Sequence, residues 1–311
     1  MAQQSSPVMI IRVLGSAAGG GFPQLNCACR LCRGVRRGEA GLAARTQTSL
    51  AVSVDGERWL LLNASPDLRA QLAAAPALQA QAGTGVRNSP IGAVVLTNGD
   101  VDAVAGLLGL REGFAFDLYA AGPVLEALAG NAIFNVLAPG LVPRRPLPVG
   151  RPVEVLPGLA VEAFLVPGKT ALYLETEAPD FGTRAGDTIG LEVRGTAGGA
   201  RFFFVPSCAG VDAALRARLA GAPLVLFDGT LYTDDEMIAQ GLSPKTGQRM
   251  GHMAMAGPAG SVAALADVAI ARRIFIHINN SNPVLDASSP ERRAVETAGW
   301  EIAADGMEIE L

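Results

Sequence analysis

Three cysteines crowd into six residues, Cys27-Ala28-Cys29-Arg30-Leu31-Cys32, the densest set of soft metal ligands in the chain. Thiolates at Cys-x-Cys-x-x-Cys spacing can wrap a tetrahedral zinc ion, which then needs a fourth ligand from elsewhere. The residues available for it are Cys208, His252 and His277. Without a metal, residues 26–34 hold too few apolar groups to order themselves, so the ion is expected to be a structural clip. A second set of reactive groups follows apolar runs. Residues 91–96 lead into Thr97-Asn98-Gly99-Asp100-Val101-Asp102, and 202–205 into Pro206-Ser207-Cys208. Residues 224–227 lead into Asp228-Gly229-Thr230, and 274–276 into His277-Ile278-Asn279-Asn280. Any one of these would pass for a helix cap or a hydrogen-bonded core histidine. Together they predict a metal site assembled from strand ends along one edge of a sheet.

Positioning such groups requires the elements before them. Apolar β-type runs recur at 9–14, 50–54, 59–62, 91–96, 116–119, 202–205, 224–227 and 274–276, with Asp55-Gly56 as a hairpin signal between the second and third. Helical patterns occupy 67–74, 104–110, 124–128, 212–219, 261–271 and 290–298, and Pro66, Pro123 and Pro290 suit helix starts. Early hairpins followed by alternating strands and helices predict an α/β fold of sheets covered by helices. The Pro-rich stretch 139–157 and the Gly-, Thr- and charge-rich stretch 175–200 read as long loops. The turn Gly15-Ser16-Ala17-Ala18-Gly19-Gly20-Gly21 matches neither nucleotide-binding glycine signature, so it reads as a tight turn that lets two strands approach. Ser16 and Ser65 lack a His–Asp partnership, and two histidines in all leave a serine-hydrolase triad without support. No repeat, low-complexity tract or linker divides the chain, so residues 1–311 are expected to form one domain with a Cys-rich loop at 26–34.

Half of the 311 residues are apolar and 17% are charged, with a net charge of −4. Such a composition excludes a disordered chain. Its apolar runs are far shorter than the roughly 18 residues of a spanning helix, so no membrane span is expected. A sequence pI near 5.3 argues against general nucleic-acid binding, and the basic cluster 30–37 reads as a solvated face. Residues 1–7 lack the charged and apolar regions of a secretory signal, and the clustered thiols look metal-binding rather than disulfide-forming, so a cytoplasmic location is expected. The oligomeric state is left open, a homodimer being compatible with the sequence.

Several longer motifs carry a family resemblance. The segment from Val13 to Gln24 leading into the cysteines resembles the coenzyme PQQ synthesis protein B family. So do Leu61-Leu62-Asn63-Ala64-Ser65-Pro66-Asp67, Asp228-Gly229-Thr230, Met250-Gly251-His252-Met253, His277-Ile278-Asn279-Asn280 and Asp305-Gly306-Met307. The resemblance implies a metallo-β-lactamase-like αββα four-layer sandwich and a role in making pyrroloquinoline quinone (PQQ) from a ribosomal peptide. The activity it implies is an iron-dependent hydroxylase that uses O2 on the tyrosine-derived ring of the precursor. The alternative is non-catalytic carriage of PQQ or its precursor towards the periplasm. Related phosphodiesterases complete a similar cysteine insertion with a histidine from a Gly-His-Met-like segment, which implies Cys27, Cys29, Cys32 and His252 as the structural zinc ligands.

Hydrolytic members of the fold use His-x-His-x-Asp-His, but here the stretch is Asn98-Gly99-Asp100-Val101-Asp102-Ala103, which makes a dinuclear zinc hydrolase improbable. The family pattern keeps an Asp-His pair where Asp102-Ala103 stands. On that basis a 2-His-1-carboxylate iron site has lost one imidazole. The ligands and catalytic residues expected to remain are Asp102, His277 and Asp228, with Asp100 as a further iron ligand. Arg111 and Lys245 are expected to pair with substrate carboxylates.

Overall fold

Strands that are mostly apolar on their inward faces build two seven-stranded sheets in the computed structural model, which describes residues 8–311 apart from 84, 179 and 181. The chain first lays down β1 (Ile10–Gly15), β2 (Ser49–Ser53), β3 (Trp59–Leu62), β4 (Ile91–Val95), β5 (Asp117–Ala120) and β6 (Arg144–Pro146). It then builds β7 (Val153–Leu156), β8 (Leu159–Leu165), β9 (Ile189–Gly195), β10 (Arg201–Val205), β11 (Val225–Asp228), β12 (Arg273–Ile276) and β13 (Trp300–Ile302). Finally β14 (Glu308–Glu310) returns to pair with β1, giving the orders β14-β1-β2-β3-β4-β5-β6 and β13-β12-β11-β10-β9-β8-β7.

Side chains alternate across a strand, so each sheet has two faces to cover. Leu60 and Leu62 of β3 and Phe202 and Phe204 of β10 fill the layer between the sheets. Trp59 and Leu61 face outward under the helices Leu68–Ala74 and Gly122–Gly130, which contribute Leu68, Val124 and Leu128. Phe203 and Val205 face the opposite way, under Ala213–Leu219 and Pro290–Thr297, which bring Leu215, Leu219 and Val295. These three apolar layers make the expected helix–sheet–sheet–helix sandwich. Each fully buried Leu or Phe contributes about 1.5–3 kcal/mol.

Parallel neighbours finish at the same edge, and β3, β4 and β5 run parallel, as do β10, β11, β12 and β13. Their carboxyl ends therefore deliver Asn63, Asn98, Ser207, Asp228 and His277 to one rim. The glycine turn after β1 stitches that rim together, with Ala17 bridging both Gln47 and Ile278. Asp305 Oδ1 accepts from Ser16 N and Oγ at 2.9 and 2.8 Å, and its Oδ2 accepts from Thr46 N and Oγ1 at 2.6 and 2.7 Å. Asp67 Oδ2 accepts from Gln47 N and Nε2 at 2.9 and 3.0 Å. A Cβ on Gly15 would lie 2.1 Å from Gln47 O, so only glycine permits this approach. The turn is a brace between strands, as its sequence implied.

Other expectations need correction. The stretch 139–157 contains β6 and β7, and 175–200 contains all of β9, an interior strand paired on both sides. Their polar and glycine-rich flanks hid strands that alternate inward Leu191 and Val193 with outward Glu192. The pattern at 104–110 becomes the short helix Val101–Val104 and a tighter 3-10 segment Ala105–Leu110, and that at 261–271 is helical only over Ser261–Ala264. Pro66 lies before the cap residue Asp67 rather than inside a helix. No helix among the described residues is long and apolar enough to cross a membrane.

Candidate functional site

Asp228 closes β11 fully buried, and its two oxygens gather four polar contacts. Oδ2 accepts from Cys208 N at 2.9 Å and faces His252 Nδ1 at 2.7 Å. Oδ1 accepts from Thr230 N at 3.0 Å and from Thr230 Oγ1 at 2.6 Å. The same hydroxyl lies 3.0 Å from His252 Nδ1 and 2.9 Å from His277 Nδ1. Once its proton points at Asp228, its lone pairs can accept N–H from the rings, which turns the Nε2 atoms away from Thr230. The two imidazoles stack with centroids 5.2 Å apart and planes 21° apart. Ligating atoms of Asp228, His252 and His277 all lie within 4.8 Å of one another.

Asp102 approaches from the other side, its Oδ2 2.9 Å from His277 Nε2. Burial opposes charge on His277, yet the bond and charge of Asp102, with Asp228 and Asp100 nearby, hold its pKa above the usual value. Burial likewise works against the Asp102 carboxylate, but His277 keeps its pKa below the ordinary range. Asp100 is pushed up, first by burial and then by the charge of Asp102. His277 and Asn63 are the non-glycine residues with positive φ among the described residues, both at +60° and both at strand ends on this rim. Such backbone costs about 1–2 kcal/mol, so the surroundings must impose it. Around His277 they do: Ile278 N donates to Ser16 O, Ala18 N donates to Ile278 O, and Thr230 Oγ1 lies 3.1 Å from His277 O.

These groups open onto a cavity of roughly 270 Å³. Asp100, Asp102, His252 and His277 line one side, and Lys169, Lys245 and Arg249 bring positive charge to the lining. Asn98, Thr230 and Asn279 add uncharged polar groups, and Gly19 of the braced turn covers Asp102. Sequence reasoning missed Lys169 and Arg249, and took Asn279 only as part of the motif that begins at His277. The signal was there for the first: the chain has only two lysines, and both line this cavity together with both of its histidines.

The thiols of Cys27, Cys29 and Cys32 do converge, and they form a ligand group separate from the histidines. His252 is not part of it, which corrects the carry-over from related phosphodiesterases: its ring is held by Asp228 and Thr230 at the strand-end site. The group beside the thiols is instead the Asn280 amide, with Nδ2 at 3.2, 3.9 and 3.3 Å from the sulfurs of Cys27, Cys29 and Cys32. Cys208 is not a thiol ligand either. Its Sγ donates to Gly210 O at 3.0 Å and burial pushes its pKa to about 12, while its backbone N–H anchors Asp228. Arg111 sits away from the cavity, beside Glu112 on the surface, whereas Lys245 lines it.

A family profile described as a beta-lactamase superfamily domain matches residues 58–278. Coenzyme PQQ synthesis protein B of Rhodopseudomonas palustris is 54% identical over 306 residues, covering 96% of this chain and 98% of that protein. The protein of the same description from Methylobacterium nodulans is 54% identical over 299 residues, covering 96% and 99%. Among solved structures, Zn(2+)-bound PqqB from Methylobacterium extorquens superposes with a TM-score of 0.94 at 50% identity, over 97% of this chain and 100% of that one. A diphosphatase of the PhnP family shares the fold at 19% identity and a TM-score of 0.68, over 98% and 97% of the two chains.

Proposed function

Because the chain belongs to the beta-lactamase superfamily and, within it, to the coenzyme PQQ synthesis protein B family of PQQ biosynthesis, we propose that it is a non-haem-iron, O2-dependent hydroxylase of that pathway. Its substrate would be the tyrosine-derived ring of the peptide-derived precursor. The observation that carries this is the convergence of His252 and His277 with Asp228, and of Asp102 with His277, beside a cavity lined by three cations. Two histidines and one carboxylate are the donor set of non-haem Fe(II) oxygenases. Here His252, His277 and Asp102 would hold the ion, Asp100 lies beside them, and Asp228 orients His252 from behind. When bound, the iron would supply the redox chemistry with O2.

The chain's own residues do the rest. Thr230 would set which ring nitrogen of each histidine carries its proton, and Asp228, held by Cys208 N, would fix the ring plane of His252. Lys169, Lys245 and Arg249 would bind the carboxylates of a Glu-derived substrate and orient its ring towards the metal residues. The second ion, a structural zinc, would take Cys27, Cys29 and Cys32. Asn280 would complete it, since turning its amide over puts Oδ1 where Nδ2 stands. The zinc would then be tied to the loop of His277 through Asn280, three residues further on.

The decisive experiment loads the protein anaerobically with Fe(II), adds precursor, ascorbate as a two-electron reductant and O2, and follows oxygen uptake together with substrate mass, one oxygen atom entering the ring and the other leaving as water. Iron-dependent uptake with a gain of one oxygen atom is expected, and equal turnover by iron-free protein would overturn the assignment. The three cations also favour a second reading, carriage of an anionic quinone without chemistry. Saturable PQQ binding indifferent to iron, with no oxygen uptake, would mark that outcome.

A further inference from the structure

Two of the cations in the cavity are already holding a carboxylate. Lys169 Nζ lies 2.9 Å from Glu175 Oε1, and Arg249 spans the same carboxylate, Nη1 to Oε1 at 3.1 Å and Nη2 to Oε2 at 2.7 Å. This is the fork geometry by which arginine grips carboxylates in general. Lys169 and Arg249 line the cavity, whereas Glu175 itself does not. The hydrogen bonds from Arg249, with those from Lys169, hold its carboxyl down to about 2, so it stays anionic at any working pH.

Glu175 follows a single 3-10 turn, Leu172–Leu174, whose residues stand 56%, 45% and 39% exposed, and Leu172 lines the cavity. Besides Glu175, two ties among the described residues hold that turn: Tyr173 Oη donates to Gly99 O at 3.0 Å, and Leu172 N donates to Asp100 Oδ1 at 3.4 Å. Lys245, the third cation of the lining, makes no ion pair among the described residues.

We propose that Lys169 and Arg249 form a carboxylate subsite for an aromatic polycarboxylate, that Glu175 occupies it in the free protein, and that the ligand binds by displacing Glu175. The subsite deepens the function proposed above and rests on it for the substrate's chemistry. One carboxylate replaces another on the same donors, so the ion contacts survive the exchange. Glu175 passes into water, and the Leu172–Leu174 turn is released next to the bound ring. Lys245 supplies a second charge contact that Glu175 does not block. Competition of this kind lowers apparent affinity by the fraction of time the subsite is closed.

The test is titration calorimetry of metal-loaded protein with benzene-1,3,5-tricarboxylate and with PQQ, neither of which needs turnover. Glu175→Gln should bind both more tightly, on the order of tenfold if the latch is closed about nine-tenths of the time. Glu175→Asp, with a shorter reach, should fall between. Lys169→Met and Arg249→Met should each weaken binding about tenfold or more, and uncharged benzene-1,3,5-tricarboxamide should not distinguish the variants. Unchanged or weaker binding by Glu175→Gln would overturn the proposal, because Glu175 would then be positioning the cations rather than competing for them. A protein that shows the tightening but no oxygen uptake would keep the subsite and discard the hydroxylase.

Discussion

Glu236 gives the most quantitative handle on the loop beneath the cavity. It is 5% exposed, with Oε1 accepting from Ser281 Oγ at 2.5 Å and Oε2 from Tyr232 N at 2.7 Å. Ser281 Oγ in turn lies 2.5 Å from Nδ2 of Asn279, which lines the cavity. Burial raises the Glu236 carboxyl from its usual 4.5 to about 7, against the pull of those hydrogen bonds. The sign follows directly. Between pH 4.5 and 7 the folded protein keeps a proton that the unfolded chain has released, so stability falls as pH rises through that window. At about 1.36 kcal/mol per unit, the cost at pH 8 is roughly 3 kcal/mol. Glu236→Gln cannot ionise, and its amide can still accept from Tyr232 N while donating to Ser281 Oγ. Allowing about 1 kcal/mol for weaker hydrogen bonds, the variant should be about 2 kcal/mol more stable than the parent at about pH 8 and somewhat less stable at about pH 4.5. Paired denaturant unfolding curves across this range, at fixed metal loading, read the difference directly. A difference that stays flat with pH would refute the buried, protonated carboxyl.

His252→Ala should abolish tight Fe(II) binding and leave the thiol-bound zinc in place; metal content per chain separates this from the opposite loss expected of a zinc-ligating His252. Asn280→Ala should keep the thiols but release zinc to a competing chelator more readily, and zinc retention equal to the parent would remove Asn280 from the metal's shell. Ala103→His adds an imidazole beside Asp102 and His277 in a polar recess shared with Asn98 and Ser207, so Fe(II) affinity should rise while zinc content stays the same. Gly106→Ala forces a Cβ to 2.1 Å from Ser65 O and should cost about 2 kcal/mol or more in thermal unfolding. Gly122→Ala, at an open helix start, should stay within about 0.5 kcal/mol of the parent.

The sandwich was legible wherever a strand announced itself by apolar alternation. Trp59–Leu62, Arg201–Val205 and Arg273–Ile276 stand within a residue of where the pattern placed them, and Asp55-Gly56 does turn between antiparallel β2 and β3, with Gly56 at a φ of +73°. What stayed hidden were strands whose outward face is charged. β9 carries Glu192 and Arg194, and Glu192 is only 3% exposed because Arg194, Arg201 and Arg218 close around it. A buried ion cluster on a sheet face reads in one dimension as a polar loop, since the partners come from other elements. β6, β13 and β14 were lost for a simpler reason: each is a three-residue strand at or beside a sheet edge, too short to show a period.

The site was half legible, for a related reason. Spacing identifies ligands that are neighbours along the chain, which is why the three thiols could be read as one group and do converge. It cannot assign a lone histidine between two metal-like clusters, and analogy sent His252 to the wrong one. What places His252 is Asp228 at the end of β11, a contact across 24 residues that depends on a buried carboxylate already saturated by Cys208 N and Thr230. Composition held a clue that spacing did not. Lysine and arginine total 25, yet lysine occurs only at 169 and 245, so surface charge in this chain is carried by arginine. Arginine's planar fork serves a solvated ion pair as well as any cation does, whereas a compact ammonium with three rotatable donors suits a small cavity crowded by imidazoles and carboxylates. Both lysines and both histidines meet in that cavity although up to 108 residues separate them along the chain, from 169 to 277. A residue type used nowhere else marks where its own chemistry is required, and here four such positions mark one pocket.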